Sequence, residues 1–192
     1  MSFLLRLLCA FAVLTVLAGC ETAPQVDSDF NPSYQFAGKT RFAVMRPEKA
    51  LELVGKPVTV TMNDLLAERI TIAVENALIA RGYEVVPVEK ADLIASFFVA
   101  RQNKTDIRTY NSGFAPGGCI GAYRCARWGG TTEVDVRNYQ EGTLLIDIFD
   151  AKVKTLEWRG STSKRLPSKA SRSERDALVK QVVEAVIAQY PQ

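Results

Sequence analysis

Thr143-Leu144-Leu145-Ile146-Asp147-Ile148-Phe149, then Asp150-Ala151-Lys152-Val153, then Lys154-Thr155-Leu156-Glu157-Trp158-Arg159: this stretch decides the fold. Leu144, Ile146 and Ile148 recur at every second position, as do Leu156 and Trp158, and a period of two marks a strand with one buried face. The four residues 150–153 between the runs make a tight turn, so strands over 143–149 and 154–164 pair as an antiparallel hairpin. Asp147, Glu157 and Arg159 alternate with the apolar set and point to the other face. One face of this sheet is therefore dry and needs a helical cover, while the other is charged. The charges read as a solvated face with weak cross-strand pairs, with a binding surface as the alternative.

Working outward, residues 132–139 form a further strand whose Glu133, Asp135 and Arg137 join the charged face. Residues 93–102 form another, with Leu93, Ala95, Phe97 and Val99 on one side. Strand composition recurs at 40–45, around Phe42 and Val44, and at 83–88, which Pro87 ends. Residues 46–61 hold prolines and a glycine and read mostly as loop, with a short helix over 48–54. Leu66, Ile70, Val74, Ala77 and Leu78 share one helical face, opened by a Thr61/Asp64 capping box and closed by Gly82. A last helix begins at the Ser171/Glu174 box, carries Leu178, Val182, Ala185 and Val186, and stops before Pro191. The order β-α-β-β-loop-β-β-β-α predicts an α+β fold in two layers. Its sheet is mostly antiparallel, with five or six strands and two helices packed on one face.

At the other end of the chain, Leu7–Leu17 is apolar and preceded by Arg6. It is too short for a hydrocarbon core that needs about 20 residues, but it suits a signal-peptide h-region. Leu17-Ala18-Gly19-Cys20 follows, with small residues before a cysteine whose thiol can take a diacylglycerol. We therefore expect residues 1–19 to be a lipoprotein signal peptide that is removed, with Cys20 the lipidation site; an uncleaved anchor is the alternative. Residues 20–28, with Pro24, read as the lipidated cysteine and its tether. Residues 29–192 read as one globular domain, with a glycine- and aromatic-rich loop at 110–130.

Composition narrows the chemistry. Without Arg6 the chain keeps 23 of its 24 Lys and Arg against 21 Asp and Glu, so it has no basic excess of the kind nucleic-acid binders carry. Histidine is absent, which removes the commonest general base, triad partner and transition-metal ligand. Cys9 leaves with the signal peptide and Cys20 takes lipid, so Cys119 and Cys125 remain; outside the cytoplasm they read as a disulfide, with reduced thiols as the alternative. No cofactor motif is found: Gly117-Gly118-Cys119-Ile120-Gly121 lacks the spacing and the Lys-Ser/Thr ending of a phosphate loop.

Tyr110, Phe114, Tyr123, Arg124, Arg127 and Trp128 concentrate in the loop that the cysteine pair pins. Large aromatics and arginine on a stiffened element are the materials of interface hot spots, so this loop is the candidate partner-binding site, for another envelope protein or a cell-wall component. The alternative is that the aromatics fold back over the open sheet face. For catalysis the candidates are carboxylate pairs, Asp147 with Glu157 or Asp92 with Asp106, which sequence cannot bring together. A lipid or small-ligand carrier needs a sizeable apolar cavity, and two helices on short strands leave little room for one.

Laid out in this way, the chain resembles the domain-of-unknown-function 4136 family of bacterial lipoproteins. The matching stretches are Asp29-Phe30-Asn31-Pro32-Ser33-Tyr34-Gln35-Phe36 leading to Thr40; Ala91-Asp92-Leu93-Ile94-Ala95-Ser96 running on to Lys104-Thr105-Asp106; and Glu141-Gly142-Thr143-Leu144-Leu145-Ile146-Asp147 through Asp150-Ala151-Lys152 to Trp158-Arg159-Gly160. Two features depart from its pattern: a longer link over 46–62 and the Cys119/Cys125 pair. The resemblance implies an outer-membrane lipoprotein facing the periplasm, with no enzymatic role and no catalytic residue to carry over. Glu21, directly after Cys20, fits export to the outer membrane. The expected partners are thus the membrane, through the N-terminal lipid, and an envelope component, with no nucleic acid.

Overall fold

The computed structural model describes residues 24–55, 62–112 and 131–191. Along them run β1 (Val26–Phe30), β2 (Arg41–Met45), α1 (Pro47–Leu53), α2 (Asp64–Ala80), β3 (Glu84–Val85), a 3-10 turn (Val88–Lys90), β4 (Leu93–Ser112), β5 (Thr131–Asp150), β6 (Leu156–Leu166) and α3 (Arg172–Ile187). The strands form one sheet in the order β1-β6-β5-β4-β2-β3. β2 is parallel to β3 and β4, and the remaining pairings are antiparallel. The fold is α+β with a mostly antiparallel sheet, as the alternation of residues 143–159 implies.

The deciding hairpin forms at its expected place, with Ile148 opposite Trp158 and Leu144 opposite Thr162. Asp150 makes the turn: its Oδ1 accepts the backbone N–H of Lys152 at 2.8 Å and of Val153 at 3.1 Å. Lys154 takes the left-handed conformation, φ 60°, that the turn requires.

Leu93, Ala95, Phe97, Leu144, Ile146, Ile148 and Trp158 all point to one face and are buried there. Ala67, Ile70, Val74, Ala77 and Leu78 of α2 and Val182, Val183, Val186 and Ile187 of α3 close over them. Gly160 is required by this packing, because a Cβ there would lie 2.3 Å from the Trp158 ring and 2.7 Å from Val186. Tyr190, just past α3, meets the edges of Phe36, Phe42, Tyr83 and Trp158 with ring centroids 5.5 to 5.9 Å apart.

Several expectations are corrected. Val26–Ser28, read as tether, belong to β1 and pair with β6 from Thr162 to Gly160. The strand expected over 83–88 shrinks to Glu84–Val85, where Pro87 ends it. Asn63 caps α2, its side chain accepting from the N–H groups of Leu65 and Leu66, while Thr61 of the expected Thr61/Asp64 box lies outside the described residues. The Ser171/Glu174 box of α3 is present in both directions. Strands expected at 132–139 and 143–149 are one continuous strand, and β4 runs ten residues past Gln102.

The second face is not uniformly wet either. α1, which Pro47 starts, places Leu53 over Ala43, Ile94 and Phe149, in a small apolar patch of its own. Beside it Asp147 and Glu157 are buried, 2% and 4% exposed, although both were expected on a solvated face. Arg159 explains the first: its Nε and Nη2 grip the two Asp147 oxygens at 2.6 and 2.7 Å, a bidentate pair that a buried carboxylate needs. Glu157 accepts from Asn31 Nδ2 at 2.8 Å and from Thr155.

Candidate interaction surface

β4 and β5 stay paired for their whole length, from Leu93↔Asp150 to Ser112↔Thr131. Their neighbours do not follow: β2 accompanies β4 only to Ser96, and β6 leaves β5 at Gln140↔Leu166. Beyond Asn103 and Gln140 the two strands form a ribbon of about 30 Å, nine residue steps at roughly 3.3 Å each. Of the loop expected over 110–130, Tyr110 to Ser112 belong to β4, and residues 113–130 lie outside the described residues.

The ribbon is two-faced. Continuing the register of the dry face, Thr105, Ile107 and Thr109 lie beside Asn138, Val136 and Val134. Ile107 is 64%, Val136 55% and Val134 52% exposed, and among the described residues no helix packs on them. Thr105 Oγ1 donates to Asn138 Oδ1 at 2.8 Å on the same side. The opposite side carries Lys104 bridged to Glu141, Arg108 to Asp106 and Arg137 to Asp135. At the base the Arg165 guanidinium sits 4.4 Å over the Tyr139 ring. The charged side is thus neutralised within itself and turned to water, while the other side offers β-branched and Thr side chains to whatever covers it.

Of the site residues expected from sequence, Tyr110 lies on the ribbon near its tip, 51% exposed and opposite Glu133. Phe114, Tyr123, Arg124, Arg127 and Trp128 lie outside the described residues, as do Cys119, Cys125 and Cys20. Ile107, Val134 and Val136 were not singled out in the sequence. The signal was there, since Thr105-Asp106-Ile107-Arg108-Thr109 alternates with the same period as the strand before it.

At the root of the ribbon a cavity of about 270 Å³ opens between the first turns of α2 and α3 and the central strands. Leu66, Ile70, Val99, Leu144, Leu178 and Val182 form its wall. Gly142 contributes to it: the dry column Ile148, Ile146, Leu144 of β5 continues as Gly142, which brings no side chain of its own, and the Leu166 side chain leans against it from β6. Room between the layers therefore exists where sequence left none, because β4 and β5 are long and the helices stop short of their ends.

The carboxylates of the two candidate pairs are each engaged by other groups. Asp147 is held by Arg159 and Glu157 by Asn31, while Asp92 takes both Nε and Nη2 of Arg41. Asp92 and Asp106 stand fourteen steps apart along β4, about 46 Å. Asp150 is the most perturbed acid: burial alone would push its carboxyl up, but Lys39 at 2.7 Å, Tyr34 and the turn amides hold it well below the usual carboxylate range. Burial and the bond to Asp150 push the Tyr34 hydroxyl up to about 12. That cluster ties the 31–39 segment to the turn, a structural job. Among the described residues no group of three or more His, Cys, Asp or Glu is placed to hold a metal.

A family model described as domain of unknown function (DUF4136) matches residues 26–192. No curated protein matches the chain. A PDZ domain protein from Parabacteroides distasonis aligns at 15% identity and TM-score 0.50 over 88% of this chain, which spans only 35% of that protein's length. A PelC dodecamer from Paraburkholderia phytofirmans aligns at 13% identity and TM-score 0.45 over 88% of this chain and 99% of that one. A minor lipoprotein from Acinetobacter baumannii aligns at 10% identity and TM-score 0.33, covering 79% and 88% of the two chains. At 15% identity the first of these likenesses concerns the fold alone.

Proposed function

The chain belongs to the DUF4136 family, and from that premise we propose that it is a non-catalytic interaction module of the bacterial envelope, tied to the outer membrane by lipid on Cys20 and facing the periplasm. The observation that carries the reading is the projecting ribbon with its uncovered apolar side. An isolated two-stranded hairpin is marginally stable in water, so a ribbon of this length is costly to keep unless its exposed face has a use.

The path of the chain supports the anchor. Val26 pairs with Thr162 and Phe30 with Trp158, so β1 is entered from the ribbon end of the sheet. Six steps separate Cys20 from Val26, a reach of at most about 20 Å. Lipid on Cys20 therefore holds the ribbon end, not the Asp150 end, next to the bilayer. Among the described residues no helix is long and apolar enough to cross a membrane, and a lipid anchor removes the need for one. The contact partner of the ribbon and the 110–130 loop is another envelope protein or a cell-wall component.

Mass spectrometry of the protein from its native membrane, combined with in-cell photocrosslinking from position 136, tests both halves. The reading expects an N-terminal Cys20 bearing acyl chains and discrete adducts from the ribbon. An unacylated N-terminus removes the anchor; an acylated protein that yields no adduct removes the module.

A further inference from the structure

The cavity at the root of the ribbon has a charge pattern that its apolar wall does not explain. Arg69, Arg101, Lys164 and Arg175 all line it, and no Asp or Glu does. The four differ in what holds them. Arg69 is bonded to Asp176, Lys164 to Gln181, and Arg175 Nη1 donates to the Ala170 carbonyl at 2.6 Å. Arg101 is exposed on β4 one position past the wall residue Val99 on the same face, the place where an apolar strand residue would continue the layer. Glu174, the acid that lines the adjoining groove, is occupied with the Ser171 cap.

We propose that this cavity is a binding site for an anionic amphiphile, a single acyl or alkyl chain with a carboxylate or phosphate head. The chain lies over Gly142 between Leu66, Ile70, Val99 and Leu178, and the head meets Arg101 and Arg175 at the mouth. Three observations converge on that class. The wall is apolar and half-buried, so a chain there removes from water surface that the fold leaves exposed. The volume sits just under the range of small-molecule sites and takes one chain. The rim carries four cations, of which Arg69 is paired with Asp176 and no carboxylate lines the cavity itself, so an anionic head is favoured over a neutral or cationic one. The site goes beyond the proposed envelope role and does not depend on lipid at Cys20.

Gly142 also sets the depth. A Cβ added there would approach Leu166 Cδ2 at 3.0 Å, the far end of a flexible side chain, so a larger residue at 142 enters the cavity without striking backbone.

The test uses the full-length processed protein in nanodiscs of zwitterionic lipid, titrated with ten-carbon photoreactive probes bearing a carboxylate, a phosphate, an alcohol or an amine. Saturable labelling of the α2, α3 and β6 peptides by the carboxylate or phosphate probe is expected, and the stronger of the two identifies the source as a fatty acid or a phospholipid-like head. Each methylene removed from the chain weakens binding about fourfold. Arg101→Ser weakens the anionic probes at least fivefold and leaves the alcohol unchanged, whereas Gly142→Leu weakens all of them. Equal labelling by the amine probe, or labelling indifferent to Arg101→Ser, overturns the proposal. Arg101 is exposed, so its variant remains informative even if Gly142→Leu does not fold.

Discussion

The inner and outer halves of the β4/β5 pair share one unbroken register and one alternation, yet they live in different solvents. In the inner half, Phe97 faces Ile146 and Ala95 faces Ile148 beneath two helices, all of them fully buried. In the outer half, Ile107 faces Val136 and Thr109 faces Val134, and none of the described helices covers them. Strand pairing alone does not make a stable structure; the inner half is held by buried area, and the outer half persists because it is spliced to the inner. The difference teaches where a fold ends and a tool begins: the same hydrogen-bond ladder serves as core where helices cover it and as an outstretched arm where they stop.

The comparison breaks most readily at the core. Trp158→Ala removes the largest buried side chain, and we expect a loss of about 3–5 kcal/mol in urea unfolding. Next comes the turn that joins β5 to β6. Asp150 has its carboxyl depressed in the folded state, so its contribution is fully present above the unfolded value near 3.9 and is lost as pH falls through the lower folded value. Asp150→Asn should cost about 2 kcal/mol at pH 7, since a charged hydrogen-bonded group leaves Lys39 behind, and the acid limb of a stability–pH curve should flatten. On the alkaline side the Tyr34 hydroxyl, raised to about 12, stabilises below its ordinary value near 10, an effect lost as pH rises through 12. In the outer half, by contrast, Val134→Thr should change unfolding free energy by no more than about 0.5 kcal/mol while reducing the adducts crosslinked from position 136 in cells. Smallest of all, Asp135→Asn, which frees the exposed Arg137, should leave the midpoint within error at low and at high salt.

The same contrast governs what was legible in the sequence. Where side chains are buried, the pattern is loud, as in the 143–164 hairpin and the helical face Leu66–Leu78; the exposed Ser171/Glu174 cap is legible from its own spacing. Where they are exposed, the chain looks like loop. β4 continues past Gln102 through residues too polar to announce a core, and β1, Val26-Asp27-Ser28-Asp29-Phe30, is a polar edge strand whose first three residues fall in what reads as a tether. Asp147 and Glu157 were assigned to water because carboxylates usually sit there; only their partners Arg159 and Asn31, distant in sequence or across the sheet, reveal their burial. The cavity was illegible for a different reason. It is made by a side chain that Gly142 does not have, and by helices that end before the strands do.

Hydrogen–deuterium exchange of the β4/β5 amides, followed both in the purified protein and in the native membrane, tests the central claim most directly. The account predicts that residues 93–100 and 143–150 are protected to the same degree in both settings. Residues 103–110 and 133–140 should exchange quickly when purified and slow at least tenfold in the envelope. Outer-half exchange that is equally fast in the membrane would show that nothing covers the ribbon, and the interaction role would be contradicted.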